Sequence, residues 1–277
     1  MRGGQALVIV IIALGVMLTV GLSIASRSLT EVNVSTTQDE SAEALSAAEA
    51  GLEGALGNVY TGEGETTGSL SSGASFTVDR TNIGGANVFV VPAGIAAGET
   101  VTLWLTGPYS TYPTGTDDLM VCLGEGGADT AVELTGYYQT AAGTFVVKKG
   151  YDTNPGRAAS TGFAVMDGAN GCFAVTTPKG SNFSYSATID NFMSGGLFPN
   201  VNPTPVLVRA RVLYNGSGEQ PVGFVSVGSW SLPNQGDNVI STGQAGVATQ
   251  KIAVTKLNPD TPPIFDDAVY SGSSLSQ

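Results

Sequence analysis

Residues 6–24, ALVIVIIALGVMLTVGLSI, contain neither charge nor proline and run unbroken into an alanine- and serine-rich stretch, residues 25–56. The first proline of the whole chain is Pro92. As a helix the apolar run is about 28 Å long, close to a hydrocarbon core of roughly 30 Å. The pattern predicts one long helix over residues 5–56, its first half in a membrane and its second half carrying a separate domain. A secretory signal peptide is the main rival, with Ser23-Ile24-Ala25 as a small-residue cut site. The run exceeds the usual apolar core of about 7–15 residues, and helix signal continues past the supposed cut. Arg2 and the amino terminus favour a cytoplasmic start, while Arg27 on the far side weakens the bias.

In the second half, Leu45, Leu52 and Leu56 fall on one helix face. Ala44, Ala47, Ala48, Gly51 and Ala55 supply small surfaces for close packing, while Glu40, Glu43, Glu49 and Glu53 mostly face elsewhere. Gly57-Asn58 is the expected helix stop.

The leader Arg2-Gly3-Gly4, the start Gln5-Ala6-Leu7-Val8-Ile9-Val10, Glu31 and the Ala48-Glu49-Ala50-Gly51-Leu52 motif form a pattern. It resembles the amino-terminal region of PilX-type minor pilins and related pseudopilins of type IV pilus and type II secretion machines. The resemblance covers residues 1–56, about a fifth of the chain. It implies a short leader, residues 1–4, cut after Gly4 by a membrane aspartyl protease to leave Gln5 first; a cut after Gly3 is the alternative. It also implies a cytoplasmic-membrane protein crossing once with its carboxy-terminal part outside, and display at the cell surface in a filament. Its partners would be other pilins, met through the helix, and the inner-membrane assembly machinery.

Two departures from the family pattern carry information. Most pilins have a glutamate at the fifth mature position, where this chain has Ile9, or Val8 for the alternative cut. The resemblance is therefore to subunits placed at a filament tip, since a tip subunit has no neighbour whose amine needs a carboxylate, and an unpaired buried carboxylate is costly. The helix proline common in pilins is also missing, and Gly15 and Gly21 read as close-packing positions.

Beyond the helix, residues 57–73 read as a flexible connector and residues 74–277 as an extracytoplasmic β-rich domain. Val, Thr, Ser, Asn and Gly dominate there, a mix that favours short strands and tight turns. Strands are expected at 74–79, 86–91, 100–105, 119–123, 131–135, 144–148, 162–166, 172–176, 185–189, 205–214, 222–227, 239–242 and 249–254. Hairpins are expected across 167–171 and 215–218, and a last strand pair around Gly243–Gly246. The fold class is α+β: a long amino-terminal helix followed by a mostly antiparallel, sandwich-like β domain. One domain is preferred, with the stretch Tyr151 to Gly156 as the alternative boundary.

The absence of histidine removes the commonest general base and imidazole metal ligand, and with them Ser–His and Cys–His nucleophile pairs. A net charge of −12, with Lys148-Lys149 as the longest basic cluster, argues against nucleic acid. Asp117, Asp118, Glu125 and Asp129 offer oxygens for calcium but lack EF-hand spacing, and Asp266-Asp267 offers less. Gly124-Glu125-Gly126-Gly127 reads as a turn, and the sequons at Asn182 and Asn215 carry little meaning if the source is bacterial, as the resemblance implies. Trp104, Trp230, Tyr109, Tyr112, Tyr137 and Tyr138 either form an aromatic binding face or pack the core. Cys122 and Cys172 either pair in an oxidising compartment or stay as buried thiols. No catalytic set, metal site or cofactor motif is recognised. The expected role is structural: a minor pilin or pseudopilin, or alternatively a membrane-anchored binding domain outside any filament.

Overall fold

The computed structural model describes residues 3–57, 59, 62–106, 113, 116–127, 129–168, 172, 175–199, 203–216 and 218–260; of residues 3–7 and 9 it describes the backbone alone. The chain is α+β, a long amino-terminal helix followed by mostly antiparallel sheets. It divides into two compact units, Met1–Thr81 with Val239–Val254, and Asn82–Asn238 with Thr255–Gln277.

In the first unit, helix α1 runs from Gly3 to Leu56 without interruption. No proline interrupts it, and its end is closed by Gly57 N donating to Glu53 O at 2.8 Å and Val59 N to Gly54 O at 2.8 Å. A four-stranded sheet in the order β1-β2-β12-β13 accompanies it, from β1 (Gly64–Ser69), β2 (Ser75–Gly84), β12 (Asn234–Ala245) and β13 (Ala248–Leu257). β1 lies inside the expected flexible connector. It pairs antiparallel with β2 from Gly64↔Arg80 to Ser69↔Ser75, around a turn in which Leu70 N donates to Ala74 O at 2.8 Å.

The face that α1 buries is its alanine face. Ala44, Ala47, Ala48 and Ala55 are buried, in a cluster with Phe76, Val78, Val239 and Ala245. Leu52 and Leu56 pack against its margin, whereas Leu45, placed on this face by spacing, is 41% exposed. Small residues win because backbone meets backbone. A Cβ on Gly51 would stand 2.6 Å from Ser241 Oγ and 2.7 Å from Phe76, and one on Gly243 would collide with the Ala44 carbonyl. At the turn after β12, Val247 N donates to Glu40 Oε2 at 3.1 Å, and Gln250 Nε2 donates to Ser41 Oγ at 2.8 Å.

The second unit holds two sheets around one buried cluster. One has the order β4-β10-β6-β7-β8, from β4 (Thr100–Trp104), β6 (Ala131–Thr140), β7 (Gly143–Asp152), β8 (Ala164–Val165) and β10 (Thr204–Leu213). The other has the order β3-β11-β5-β9, from β3 (Val88–Val90), β5 (Asp118–Leu123), β9 (Tyr185–Ile189) and β11 (Val222–Val227). Leu103, Val208, Ala210 and Leu134 from the first sheet and Phe89, Val121, Ile189 and Phe224 from the second belong to the same core. β5 shows the strand period directly. Leu119, Val121 and Leu123 enter that core, while Met120 and Cys122 enter a second cluster with Cys172, Val175 and Phe183.

Three local expectations differ from the structure. Among the described residues the two expected strands do not pair with each other: β8 pairs parallel with β7, Asp167 bridges Ser186, and Thr176 bridges Asn182. The expected turn residues 169–171 lie outside the described residues. β10 and β11 are not a hairpin either, because each completes a different sheet. A helix, α2 (Pro155–Thr161), occupies the alternative domain boundary. Asn154 caps it by accepting from Gly156 N and Arg157 N, and Gly162 ends it at φ 77°.

Candidate functional site

The first half of α1 presents its apolar side chains to the outside all around the helix. Val10, Ile11, Leu14, Met17, Leu18, Leu22 and Ile24 are each more than half exposed, and Met17 reaches 72%. Among the described residues this is one helix long and apolar enough to cross a membrane, and its apolar window is wholly unburied. A soluble monomer does not leave such a surface in water. The one hydroxyl near its centre is satisfied internally, Thr19 Oγ1 donating to Val16 O at 2.8 Å, which removes the cost of a hydroxyl in hydrocarbon.

The glycines of the helix have different surroundings. Gly51 is pressed against its own sheet, while a Cβ on Gly15 or Gly21 would meet nothing within 4 Å. Gly4 and Gln5, the expected processing residues, lie at the beginning of α1, where backbone alone is described.

The expected carboxylate cluster is dispersed. Asp117 Oδ1 accepts from Ser229 N at 3.1 Å and Asp118 Oδ1 from Asn191 N at 2.8 Å. Asp129 pairs with Arg157 at 2.8 Å. Glu125 is held by Ser181, Thr177 and Lys179, and the Ser181 hydrogen bond holds its carboxyl below the usual range. Among the described residues no three potential ligands come together. Asp266 and Asp267 lie outside the described residues.

The aromatic residues form no common binding face among those described. Trp230 is buried, stacks on Phe192 at 5.9 Å and donates through Nε1 to Asp118 O. Tyr138 is buried between Phe145 and Phe198. Tyr137 and Trp104 are half-buried, and Tyr109 and Tyr112 lie outside the described residues. Of the sequon asparagines, Asn182 is exposed, while Asn215 is buried and donates to Ile95 O and Gly218 O. Cys122 and Cys172 are joined by a disulfide, Cα–Cα 6.0 Å, that closes a separation of 50 residues.

One feature of the second unit had no sequence signal. A cavity of about 340 Å³ opens beside β4, lined by Phe89, Val91, Ile95, Thr100, Thr102 and Leu257 among others, with Gln235 and Asp260 at its polar side. Gln235 is buried, and its carboxamide bonds Trp104 at both main-chain groups.

No protein-family model matches the chain, and neither a curated protein nor a solved structure matches it.

Proposed function

We propose that the protein is a minor pilin or pseudopilin, a structural and assembly component of a type IV pilus-like filament, placed at its tip. The observation that carries this reading is the two-part use of α1. Its Ala44–Ala55 portion is consumed by packing on its own sheet, while the preceding apolar stretch, with Gly15 and Gly21 open, has no partner among the described residues. A helix of this kind crosses a bilayer as a precursor and packs against other apolar helices afterwards. The missing carboxylate at Ile9 supports the tip position. The sheets then face the exterior and meet partners or surfaces, in a structural rather than catalytic role.

Amino-terminal sequencing of the protein from its native membrane tests the reading. A first residue of Gln5, or of Gly4, supports it. An intact Met1 favours the membrane-anchored binding domain instead, and a start near Ser26 defeats both by releasing the domain.

A further inference from the structure

The sheet β4-β10-β6-β7-β8 has one face in the core and one turned away from it. Val101 and Leu103, Val208 and Ala210, and Val132 and Leu134 enter the core. Their alternates occupy the other face. The register sets these in rows across the strands: Trp104, Leu207 and Tyr137; then Thr102, Arg209, Thr135 and Lys148; then Thr100, Arg211 and Glu133.

This outer face is not open to water. On the interior strands Arg209 is 3% exposed and Thr135 2%, while Trp104, Leu207 and Tyr137 are half-buried. An arginine on a solvated face stays largely exposed. The described chain reaches the face at its β4 margin. Trp104 Nε1 donates to Pro259 O at 3.1 Å, Thr102 Oγ1 donates to Asp260 Oδ1 at 2.5 Å, and Asp260 lies 3.6 Å from Arg209. Thr135 is two strands further in, on β6.

The sequence that follows fits the remainder. Residues 261–277 lie outside the described residues and begin Thr261-Pro262-Pro263-Ile264-Phe265-Asp266-Asp267. The two prolines favour an extended path and bring no N–H that needs a partner, which suits a chain crossing a sheet face. The reach suffices. β4 to β6 is about 10 Å, at about 4.8 Å per strand, and six extended residues span about 20 Å. Ile264 and Phe265 match the apolar row of Trp104, Leu207 and Tyr137. Asp266 and Asp267 match the cations. Arg209, Arg211 and Lys148 stand on this face, against Glu133, 3.2 Å from Lys148, and Asp260. A second copy would bring its own charge of −12 to the contact. The chain's own segment is already tethered at Asp260, at an effective concentration that a free partner does not match.

We propose that this outer face is the docking site of the chain's own residues 261–267. They cross it as an extended strap, with Ile264 and Phe265 on the apolar row and Asp266 and Asp267 against the cations. The strap belongs to the second unit and is independent of the assembly role of α1.

The test is hydroxyl-radical footprinting, read by mass spectrometry, on the full chain in detergent micelles. A synthetic peptide of residues 258–277 is the reference. A docked segment that opens about one time in ten leaves Phe265 reacting about tenfold more slowly than in the peptide. Asp266→Lys with Asp267→Lys turns attraction into repulsion and brings Phe265 to within about twofold of the peptide, with Tyr137 reacting faster as well. Buried Trp230 and Tyr138 stay slow in the variant, which shows that the second unit remains folded. The proposal is overturned if Phe265 of the unaltered chain reacts at the peptide rate, or if the double variant changes neither Phe265 nor Tyr137. It is also overturned if protection is lost on dilution, which gives the face to a neighbouring copy.

Discussion

Gly243 on β12 stands so close to the Ala44 carbonyl of α1 that a single methyl group on it would collide with main chain. Main chain cannot rotate away as a side chain can. Gly243→Ala is therefore expected to weaken the packing of α1 on its sheet by about 3 kcal/mol. The measurement is hydrogen exchange at the Ala47 and Ala48 amides, which become less protected. Gly15→Ala, where nothing lies within 4 Å, leaves the isolated chain folded and adds slightly to helix stability. If its effect appears only in filament assembly, the two halves of the helix are functionally separate; if both variants unfold alike, they are not.

Arg157 is expected to be the costliest single charge to remove in the second unit. Its Nε and Nη2 each bond Asp152, whose side chain is wholly buried, at 2.7 Å, and its guanidinium lies 4.4 Å from the Tyr214 ring centre. Arg157→Gln leaves a buried carboxylate without its cation, at a loss of about 3–5 kcal/mol in urea unfolding. Arg157→Lys recovers only part, because an ammonium cannot reproduce the two-pronged contact.

Reduction of the Cys122–Cys172 disulfide frees a loop spanning 50 residues. Chain entropy puts the loss at about 4 kcal/mol. A Cys122→Ser, Cys172→Ser double variant should match the reduced protein in denaturant midpoint. A midpoint unchanged by reduction would show that the surrounding cluster of Met120, Val175 and Phe183 suffices alone.

Alkaline pH should reach Tyr151 late. Burial pushes its phenol up to about 12, and the negative charge of Asp190 adds to the shift. The folded chain therefore favours the neutral phenol. This stabilisation is complete below the unfolded tyrosine value of about 10 and is lost as pH rises through about 12. Ultraviolet titration of phenolate follows it. Asp190→Asn lowers the value but leaves most of the shift, because burial is its larger cause.

The long helix and the α+β class were legible because they rest on patterns a single sequence displays: an unbroken apolar run, alanines at helical spacing, and β-branched residues between turns. The packing face of α1 was only half legible. Periodicity pointed to Leu45 and the alanines alike, and the close approach of the β12 backbone at Gly243 decided for the alanines. β1 was missed because Gly64–Ser69, rich in glycine and threonine, has no apolar face and becomes a strand through β2. α2 had a readable signature, Asn154 as cap, Pro155 in the first turn and Gly162 after the end, masked by the turn-like composition of the same residues. The dispersal of Asp117, Asp118, Glu125 and Asp129 to separate partners required the strands to be placed. The Gln235 plug on Trp104 joins residues 131 positions apart and left no local trace.

The first unit draws on both ends of a long interval, Met1–Thr81 and Val239–Val254. A ribosome delivers the first segment long before the second. Throughout that delay the alanine face of α1 and the open side of β2 lack the strand that covers them in the finished protein. The layer that packs on α1 can therefore close only after residues 239–254 have been made, whatever has folded before them.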